Sequence, residues 1–164
     1  MMRSAVNPYE RLLTVNSSNN GFPARIPTAT DPSSNLGMIS WTTRGPDIPN
    51  HLDIVPYGIG ADNTTFVMRI ISWNYNKSDA DWVPAPLAEL TCTLCGVLAV
   101  ATTARYCDTI TLAAGYNSNV GVEVVSPATS VLGHIIVDTK GSEKIELSFN
   151  TNSATNANAL YRFL

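Results

Sequence analysis

The sequence predicts an all-β protein, an antiparallel β-sandwich or jelly-roll-like single domain with an extended N-terminal arm. Roughly seven to nine short apolar runs are separated by turn signals, and none has the period of an amphipathic helix. The chain has 164 residues, of which 45% are hydrophobic, and this is enough to fill one core. We therefore predict an arm over residues 1–35 and a sandwich or jelly-roll body over residues 36–164.

Residues 64–96 are the stretch around which the body is expected to form, because they contain two long strand-like runs joined by a polar loop. The second run alternates apolar and polar side chains, and its apolar positions are Ala88, Leu90, Cys92 and Leu94. The loop, residues 76–81, is rich in turn-forming residues. This pattern predicts an antiparallel hairpin.

The first run of this hairpin, residues 66–75, is apolar on both faces. One face carries Phe66, Met68 and Ile70. The other face carries four further apolar side chains, Val67, Ile71, Trp73 and Tyr75. Such a strand is either central in a two-layer stack or covered by a second copy of the protein. We predict the face with the four side chains as a candidate subunit interface.

The first 35 residues differ in composition from the body. Three prolines and many polar side chains lie between positions 16 and 35, and they leave little surface to bury. Two interpretations stay open for this segment. It is either a loosely tethered terminus or an extended arm that lies across a neighbouring subunit, with residues 26–32 in contact.

The body continues with strand-like runs at residues 36–42, 51–59, 106–115, 120–125, 131–137 and 145–149. Pro56 is expected to break or bulge the second of these runs. Residues 138–144 resemble a hairpin loop between the last two runs, with Gly141 at the tightest point. We expect residues 151–158 to form a polar linker and residues 159–164 to dock on the body.

The composition argues for a surface rich in hydroxyl and amide groups. Charged residues make up only 14% of the chain, whereas Asn, Ser and Thr number 15, 14 and 17. The net charge is −3, and the ten Lys and Arg residues are scattered singly. Nucleic-acid binding needs clustered basic residues, so we exclude that class. The surface favours packing into an assembly or contact with sugars.

The sequence has no window of about 20 apolar residues, so we expect no membrane span. The first residues lack the apolar core of a secretory signal before Glu10 and Arg11. Three cysteines are fewer than a secreted disulfide scaffold usually carries. We expect a protein that is made and kept in a cytosol until assembly.

Several residues could carry chemistry, but each has a structural explanation that we favour. Cys92 and Cys95 have C-x-x-C spacing without a second ligand pair, which favours buried free thiols. Asp79 and Asp81 could bind a hard cation, although a solvated turn is favoured. Gly58 and Gly60 match only the beginning of a phosphate-binding loop, and a turn is favoured there too.

Catalytic groups are not recognisable in this sequence. The histidines, His51 and His134, lie in no catalytic motif, and no G-x-S-x-G sequence occurs. Three glutamates, Glu89, Glu123 and Glu146, alternate with apolar residues and are expected to face outward from their strands. We therefore expect no enzymatic activity, no cofactor and no metal site.

The large aromatic side chains leave two alternatives. The residues in question are Trp41, Trp73, Trp82, Tyr57, Tyr75 and Tyr106. They could form a platform on which sugars stack, but aromatic residues in sheets more often belong to the core or to a subunit interface.

Four segments together carry a resemblance to a known class: LGMISWTT, PYGIGADNTTFVMRIISWN, WVPAPLAELTCTL and the closing DTKG…IELSFN…TNANAL. They resemble small all-β virion structural proteins of tailed bacteriophages, most closely the head decoration, or cement, class. The likeness extends over most of residues 36–160. It implies a protein that binds the outside of an icosahedral head, commonly as a trimer or dimer, and stabilises the shell by bridging capsomers.

The resemblance further implies the major capsid protein and other copies of the same chain as partners. It implies localisation at the capsid surface of the virion after synthesis in the host cytoplasm. Two alternatives remain. One is a head-completion or tail-connector component, and the other is a receptor- or carbohydrate-binding jelly-roll module.

Overall fold

The computed structural model describes residues 10–11, 15–16, 38–40, 51–95, 104–113, 121–127, 132–139, 142–150 and 152–164. This part of the chain contains strands and turns, and all of its strand pairs are antiparallel. The predicted all-β, sandwich-like single domain is confirmed. The strands are β1 Glu10–Arg11, β2 Val15–Asn16, β3 Met38–Ser40, β4 His51–Ile59, β5 Thr65–Asn76, β6 Asp81–Leu94, β7 Ala104–Leu112, β8 Val122–Val125, β9 His134–Asp138, β10 Lys144–Asn150 and β11 Asn156–Phe163.

The first sheet is built around β4 and β11, which pair over eight residues. Beyond β4 lie β9 and then β8, and beyond β11 lie the short strands β1 and β2. An ion pair ties the two central strands together, because Arg162 Nε donates to Asp53 Oδ2 at 2.8 Å. The segment 159–164, predicted to dock on the body, lies largely within β11.

The second sheet has the order β3, β10, β5, β6, β7. Strand β7 belongs to both sheets. Its first three residues, 104–106, pair with β4, and its later residues pair with β6. One strand therefore closes the sandwich at this side, as occurs where a strand changes sheets at a bend or bulge.

The core lies between the two sheets and contains side chains from both. It includes Leu52 and Ile54 from the first sheet, and Phe66, Met68 and Leu90 from the second, all without exposed surface. Each strand contributes alternate residues, as the pleat requires. Among the described residues, no helix has the length and apolar character needed to cross a membrane.

Pro56 lies inside β4 without breaking it, so the predicted interruption at this residue is wrong. The Cys107 thiol donates a hydrogen bond to the Pro56 carbonyl oxygen, with an Sγ–O distance of 3.6 Å. The backbone of Pro56 therefore faces β7. On that side β9 pairing ends at Ile54 and β7 pairing begins at Tyr57. The missing N–H falls between two partner strands, where no ladder bond is lost.

Strand β5 is central in the second sheet, between β10 and β6. The predicted hairpin is confirmed, because β5 and β6 pair along almost their whole length. A bulge at Leu87 interrupts the register between Ile70 and Ile71, where Ala88 and Pro86 are the successive partners. Of the two explanations offered for a strand with two apolar faces, the structure shows the central position.

A hydrogen bond holds the second face of β5 against β10. Trp73 Nε1 donates to Glu146 Oε2 at 2.8 Å, and both side chains are buried. Glu146 was expected to face outward into solvent, and that expectation is wrong. Strand β10 is buried on both faces, so a carboxylate at this position needs hydrogen-bond donors.

Strands β9 and β10 do not form the predicted hairpin. Strand β9 pairs with β4 and β8 in the first sheet, whereas β10 pairs with β5 and β3 in the second. Ser142 N donates to Thr139 O at 3.0 Å, and Glu143 N donates to Trp73 O at 3.0 Å. The connection therefore crosses between the sheets. Gly141, predicted at its tightest point, lies outside the described residues.

The predicted polar linker at residues 151–158 is also corrected. Strand β11 begins at Asn156, and Ala157 and Asn158 have no exposed surface. Small residues suit this strand because it packs closely against its neighbours. A Cβ atom on Gly58, opposite Ala157, would lie 2.6 Å from the Asn156 carbonyl oxygen.

The N-terminal boundary stays a prediction. Within residues 1–35 the structure describes 10–11 and 15–16, and both pieces pair with β11. The predicted strand at residues 36–42 is present as β3, over residues 38–40. The predicted contact segment, residues 26–32, lies outside the described residues.

We predict that Glu146→Ala lowers the free energy of unfolding by about 1–3 kcal/mol, because it leaves the Trp73 indole N–H buried without this acceptor. Glu146→Gln keeps an acceptor oxygen and is expected to cost less. Chemical denaturation measures both. Glu123→Ala, at an exposed strand position, is the matched control and should stay within about 0.5 kcal/mol of the parent. Equal stability of the two alanine variants would contradict the role of this bond.

Candidate interaction surfaces

The end of the β5–β6 hairpin carries no third strand in the part of the chain that the structure describes. Strand β10 pairs with β5 only as far as Trp73. On the other side, pairing with β6 ends where Ala113 N, just after β7, donates to Glu89 O. Residues 74–88 therefore extend past their neighbours, and we call them the hairpin end.

The loop at the hairpin end is held by its own side chains. Asn76 Nδ2 donates to Asp79 Oδ2 at 2.6 Å, and Ser78 N donates to Asn76 Oδ1 at 3.0 Å. Asp81 Oδ1 accepts from Trp82 N at 2.8 Å. Ala80 adopts a left-handed conformation with φ of 53°. Asp79 and Asp81, considered above as cation ligands, thus both accept hydrogen bonds that shape the turn.

The hairpin end presents an aromatic and aliphatic surface. Tyr75 and Trp82 meet edge to face with ring centroids 5.4 Å apart, and Lys144 Nζ lies 4.1 Å from the Trp82 ring centroid. These contacts fix the orientation of Trp82. Tyr75 is 40% exposed on the face that it shares with Trp82, and Val83, the partner of Asn74, is 48% exposed on the opposite face. Large apolar side chains on a braced, projecting hairpin are typical of a protein contact.

Within the described ranges, the outward edge of β6 at the hairpin end offers acceptors but no free N–H donors. The Trp73 carbonyl oxygen accepts a hydrogen bond from Glu143 N, on the side of β5 that faces β10. Because the backbone groups of Trp73 point away from β6, those of its partner Pro84 point away from β5. Pro86 and Trp82 share that direction because they lie two residues away. Both prolines lack an N–H group, and the Trp82 N–H is bonded to Asp81. Such an edge resists pairing with another strand.

We predict that Pro84→Thr combined with Pro86→Thr makes the protein self-associate, because it restores two outward N–H donors to an apolar edge. Light scattering and thioflavin fluorescence over time measure the change. Ala85→Thr is the matched control, since its N–H points toward β5 and adds no outward donor. Equal behaviour of the double variant and this control would contradict the assignment of the edge.

The four residues predicted as a subunit interface have different surroundings. Ile71 and Trp73 are 1% and 0% exposed within the single chain, so they have no surface to offer a second copy. Val67 is half-buried, and Tyr75 alone of the four is exposed. An interface on this face stays a prediction, and Tyr75 is its most accessible member. Tyr75→Asp, rather than a substitution at Trp73, is the variant that tests it.

A second surface is a groove at the junction of β4 and β7. Tyr57 and Tyr106 face each other across the strand pair with ring centroids 6.2 Å apart. Together with Ala104, Arg105 and Leu160 they line a cavity of about 230 Å³. Tyr106 is 41% exposed, whereas Tyr57 is buried. The cavity is smaller than most small-molecule pockets, which span roughly 300–1,000 Å³.

Arg105 supports the groove from behind. It pairs in register with Gly58, so its side chain lies on the opposite face of the strand from Tyr106. There Nη1 donates to the Asp62 carboxylate and, at 3.1 Å, to the Cys95 carbonyl oxygen. This ion pair, in which Arg105 is buried and Asp62 is exposed, ties the loop after β4 to the start of β7. Arg105 was not singled out from the sequence, because its partner Asp62 is 43 residues away.

The aromatic residues considered as a sugar-stacking platform lie in separate places in the structure. Trp73 is buried, Trp82 and Tyr75 lie together at the hairpin end, and Tyr57 and Tyr106 lie in the groove. Trp41 lies outside the described residues. These aromatic side chains do not form one continuous platform.

A third depression, of about 290 Å³, lies at the other end of β4. It is lined by His51, Glu123 and Asp138 among others, and His51 and Asp138 are opposite each other in the β4–β9 ladder. His134 is separate, and its Nδ1 lies 3.0 Å from Leu132 O. In the described ranges no three His, Cys, Asp or Glu side chains are arranged to hold a metal ion.

The cysteines are free thiols, and the thiols of Cys92 and Cys107 are hydrogen-bonded to each other. Both are buried on adjacent strands, whereas Cys95 is half-buried. The hydrogen bond with the Cys92 thiol, together with burial, raises the pKa of the Cys107 thiol well above its ordinary value of 9.0. A thiol that holds its proton this tightly is a poor nucleophile, so this pair acts in packing.

The raised pKa of Cys107 predicts a loss of stability at alkaline pH. The unfolded thiol ionises near pH 9 while the folded one stays protonated, so this contribution is fully present below pH 9 and declines above it. The slope is at most about 1.4 kcal/mol per pH unit. Urea unfolding between pH 8 and pH 10.5, a range set by the ordinary thiol pKa, measures it.

Cys107→Ala should remove this alkaline slope, and Cys95→Ala should keep it. Both variants keep every tyrosine, so a difference between their pH slopes reports ionisation of the Cys107 thiol rather than of tyrosine. A slope that is unchanged in Cys107→Ala would contradict the assignment.

Comparison of the chain with protein-family models, with curated proteins and with solved structures gave no match. The function is therefore argued from the surfaces described above.

Proposed function

We propose that this protein is a virion structural protein that decorates the outer surface of a bacteriophage head and stabilises the shell by bridging capsomers. The observation that carries the proposal is the braced hairpin end, which projects Tyr75 from one of its faces and Val83 from the other. A rigid body with a projecting apolar contact suits binding to a repetitive protein surface. The major capsid protein is the proposed partner, in keeping with the resemblance of the sequence to decoration proteins.

The chemistry of the surface supports binding to a shell. Charged residues are few and Asn, Ser and Thr are many, so contacts form through short hydrogen bonds rather than long-range fields. Interfaces built from aromatic and aliphatic anchors with a polar surround follow the usual anatomy of protein contacts.

The acceptor-only edge of β6 supports an assembly of limited size. Open strand edges let further chains add without limit, whereas a homo-oligomer with closed symmetry has a fixed number of subunits. Two prolines and the Asp81 carboxylate block strand pairing at the hairpin end. Contacts at this site therefore form through side chains rather than by strand pairing.

The test of the proposal is the copy number of the protein in purified virions, measured by quantitative mass spectrometry. We expect copies on the order of hundreds, as a symmetric shell requires. About a dozen copies would instead favour the head-completion or connector alternative. Absence from particles would overturn the virion assignment.

We predict that Tyr75→Asp abolishes binding to heads that lack the protein, because it places a charge in the proposed contact. Co-sedimentation with such heads measures binding, and the thermal midpoint should stay close to that of the parent. Leu132→Asp is the matched control, since Leu132 is 45% exposed but lies away from the hairpin end. Loss of binding in the control alone would assign the contact to another face.

The groove at Tyr57 and Tyr106 favours a second candidate function, recognition of a carbohydrate. An exposed tyrosine beside a buried one, in a cavity of about 230 Å³, fits a single sugar ring better than an extended ligand. Its chemistry is independent of the hairpin end.

For this second candidate we expect glycan-array binding that is lost in Tyr106→Ala and kept in Tyr75→Ala. Loss in both variants would indicate a general defect, and binding by neither the parent nor the variants would exclude the carbohydrate function.

A further inference from the structure

Lys144 places a positive charge on the face of the hairpin end that carries Tyr75. It is opposite Trp73 in the ladder between β5 and β10, and opposite residues lie on the same face of a sheet. Tyr75 and Trp82 are opposite each other and lie further along that face. From β10 the lysine side chain reaches across β5, and Nζ lies 4.1 Å from the Trp82 ring centroid. The charge therefore belongs to the surface of the hairpin end.

The Lys144 ammonium lies against an aromatic ring rather than against a carboxylate. None of the ion pairs in the described part of the chain includes it. Glu146, on the same strand, is buried and accepts a hydrogen bond from an indole N–H. Asp79 and Asp81 accept hydrogen bonds inside the loop. Within the described residues, no ion pair neutralises the charge of Lys144.

The position over the ring leaves the ammonium able to bind a further group. An ammonium has three N–H donors, and a cation–π contact engages only the side that faces the ring. Lys144 is half-buried, and Tyr75, which contacts Trp82, is 40% exposed. A cation close to an exposed aromatic side chain is complementary to a carboxylate that borders an apolar depression.

The contact with Trp82 also prepares the lysine for binding. A lysine on a bare surface loses much side-chain freedom when a partner fixes it, and this loss opposes binding. Lys144 is already held over the ring, so less freedom remains to be lost. In this respect it differs from Lys77, which is exposed in the loop of the hairpin end.

We propose that Lys144 is a specificity-determining residue of the hairpin end, and that its ammonium binds a carboxylate of the head surface while Tyr75 enters an apolar depression beside that carboxylate. This assignment rests on the proposed function and defines the chemistry that the partner must present. A charge pair at the border of an apolar contact selects the correct partner and fixes its orientation.

The test measures the affinity of Lys144 variants for heads that lack the protein, by co-sedimentation over a range of protein concentrations. Lys144→Met removes the charge but keeps an unbranched side chain that packs on an aromatic ring. We expect its affinity to fall by about tenfold to a hundredfold, as loss of a charge-assisted hydrogen bond predicts. Lys144→Arg keeps the charge and is expected to restore most of the affinity.

The salt dependence of binding separates a charge contact from a merely structural role. Salt screens charges at an interface, so raising the ionic strength should weaken binding of the parent more than binding of Lys144→Met. A lysine that only braced Trp82 would give the same salt dependence in both proteins. The thermal midpoints of the parent and the variants are measured alongside, and we expect them to be close.

Lys77→Met is the matched control, because it removes the same charge from the same end of the hairpin. Its affinity should stay within about twofold of the parent, since long-range effects of one exposed charge are screened. An equal loss of affinity in Lys77→Met would assign the effect to net charge and overturn the proposal.

The remaining outcomes separate this proposal from the proposed function. Unchanged affinity in Lys144→Met, together with loss of binding in Tyr75→Asp, overturns the role of Lys144 and leaves the contact at the hairpin end standing. Absence of binding by the parent overturns both. If Lys144→Met binds heads normally but changes the oligomeric state in native mass spectrometry, the carboxylate belongs to a second copy of this chain, and its assignment to the head is overturned.

Discussion

Burial of β5 on both faces is the constraint on which the rest of this structure depends. One face supplies Phe66, Met68 and Ile70 to the core, and the other must bury Ile71 and the Trp73 indole. An indole N–H without a partner is costly, so Glu146 on the neighbouring strand is buried with it as the acceptor. This hydrogen bond joins β10 to β5, which are neighbours in the second sheet.

The sandwich closes through a strand that belongs to both sheets. Strand β7 leaves β4 after Tyr106 and continues along β6, and Pro56 lies where β4 changes partners. The Arg105–Asp62 pair and the Tyr57–Tyr106 contact form at this junction because three segments meet there. The groove is therefore a consequence of how the sheets are joined.

Two places in the structure share one property, which is control of strand edges. At the hairpin end, prolines and an aspartate leave only acceptors at the edge, and contacts must form through side chains such as Tyr75 and Val83. At β11 the edge is filled by the first strands of the chain. Such control would suit the proposed assembly, because open edges in close proximity pair without limit.

The sequence by itself determined the fold class, the β5–β6 hairpin and the inward set of β6, because alternation along a strand depends on local spacing. It did not determine that Glu146 is buried, that residues 156–158 form a strand, or that β9 and β10 lie in different sheets. It also did not reveal Arg105, the groove, or the burial of Trp73 within the chain. These depend on which strands become neighbours, and pairing between residues distant in sequence leaves no local pattern. Only the tertiary structure decided them.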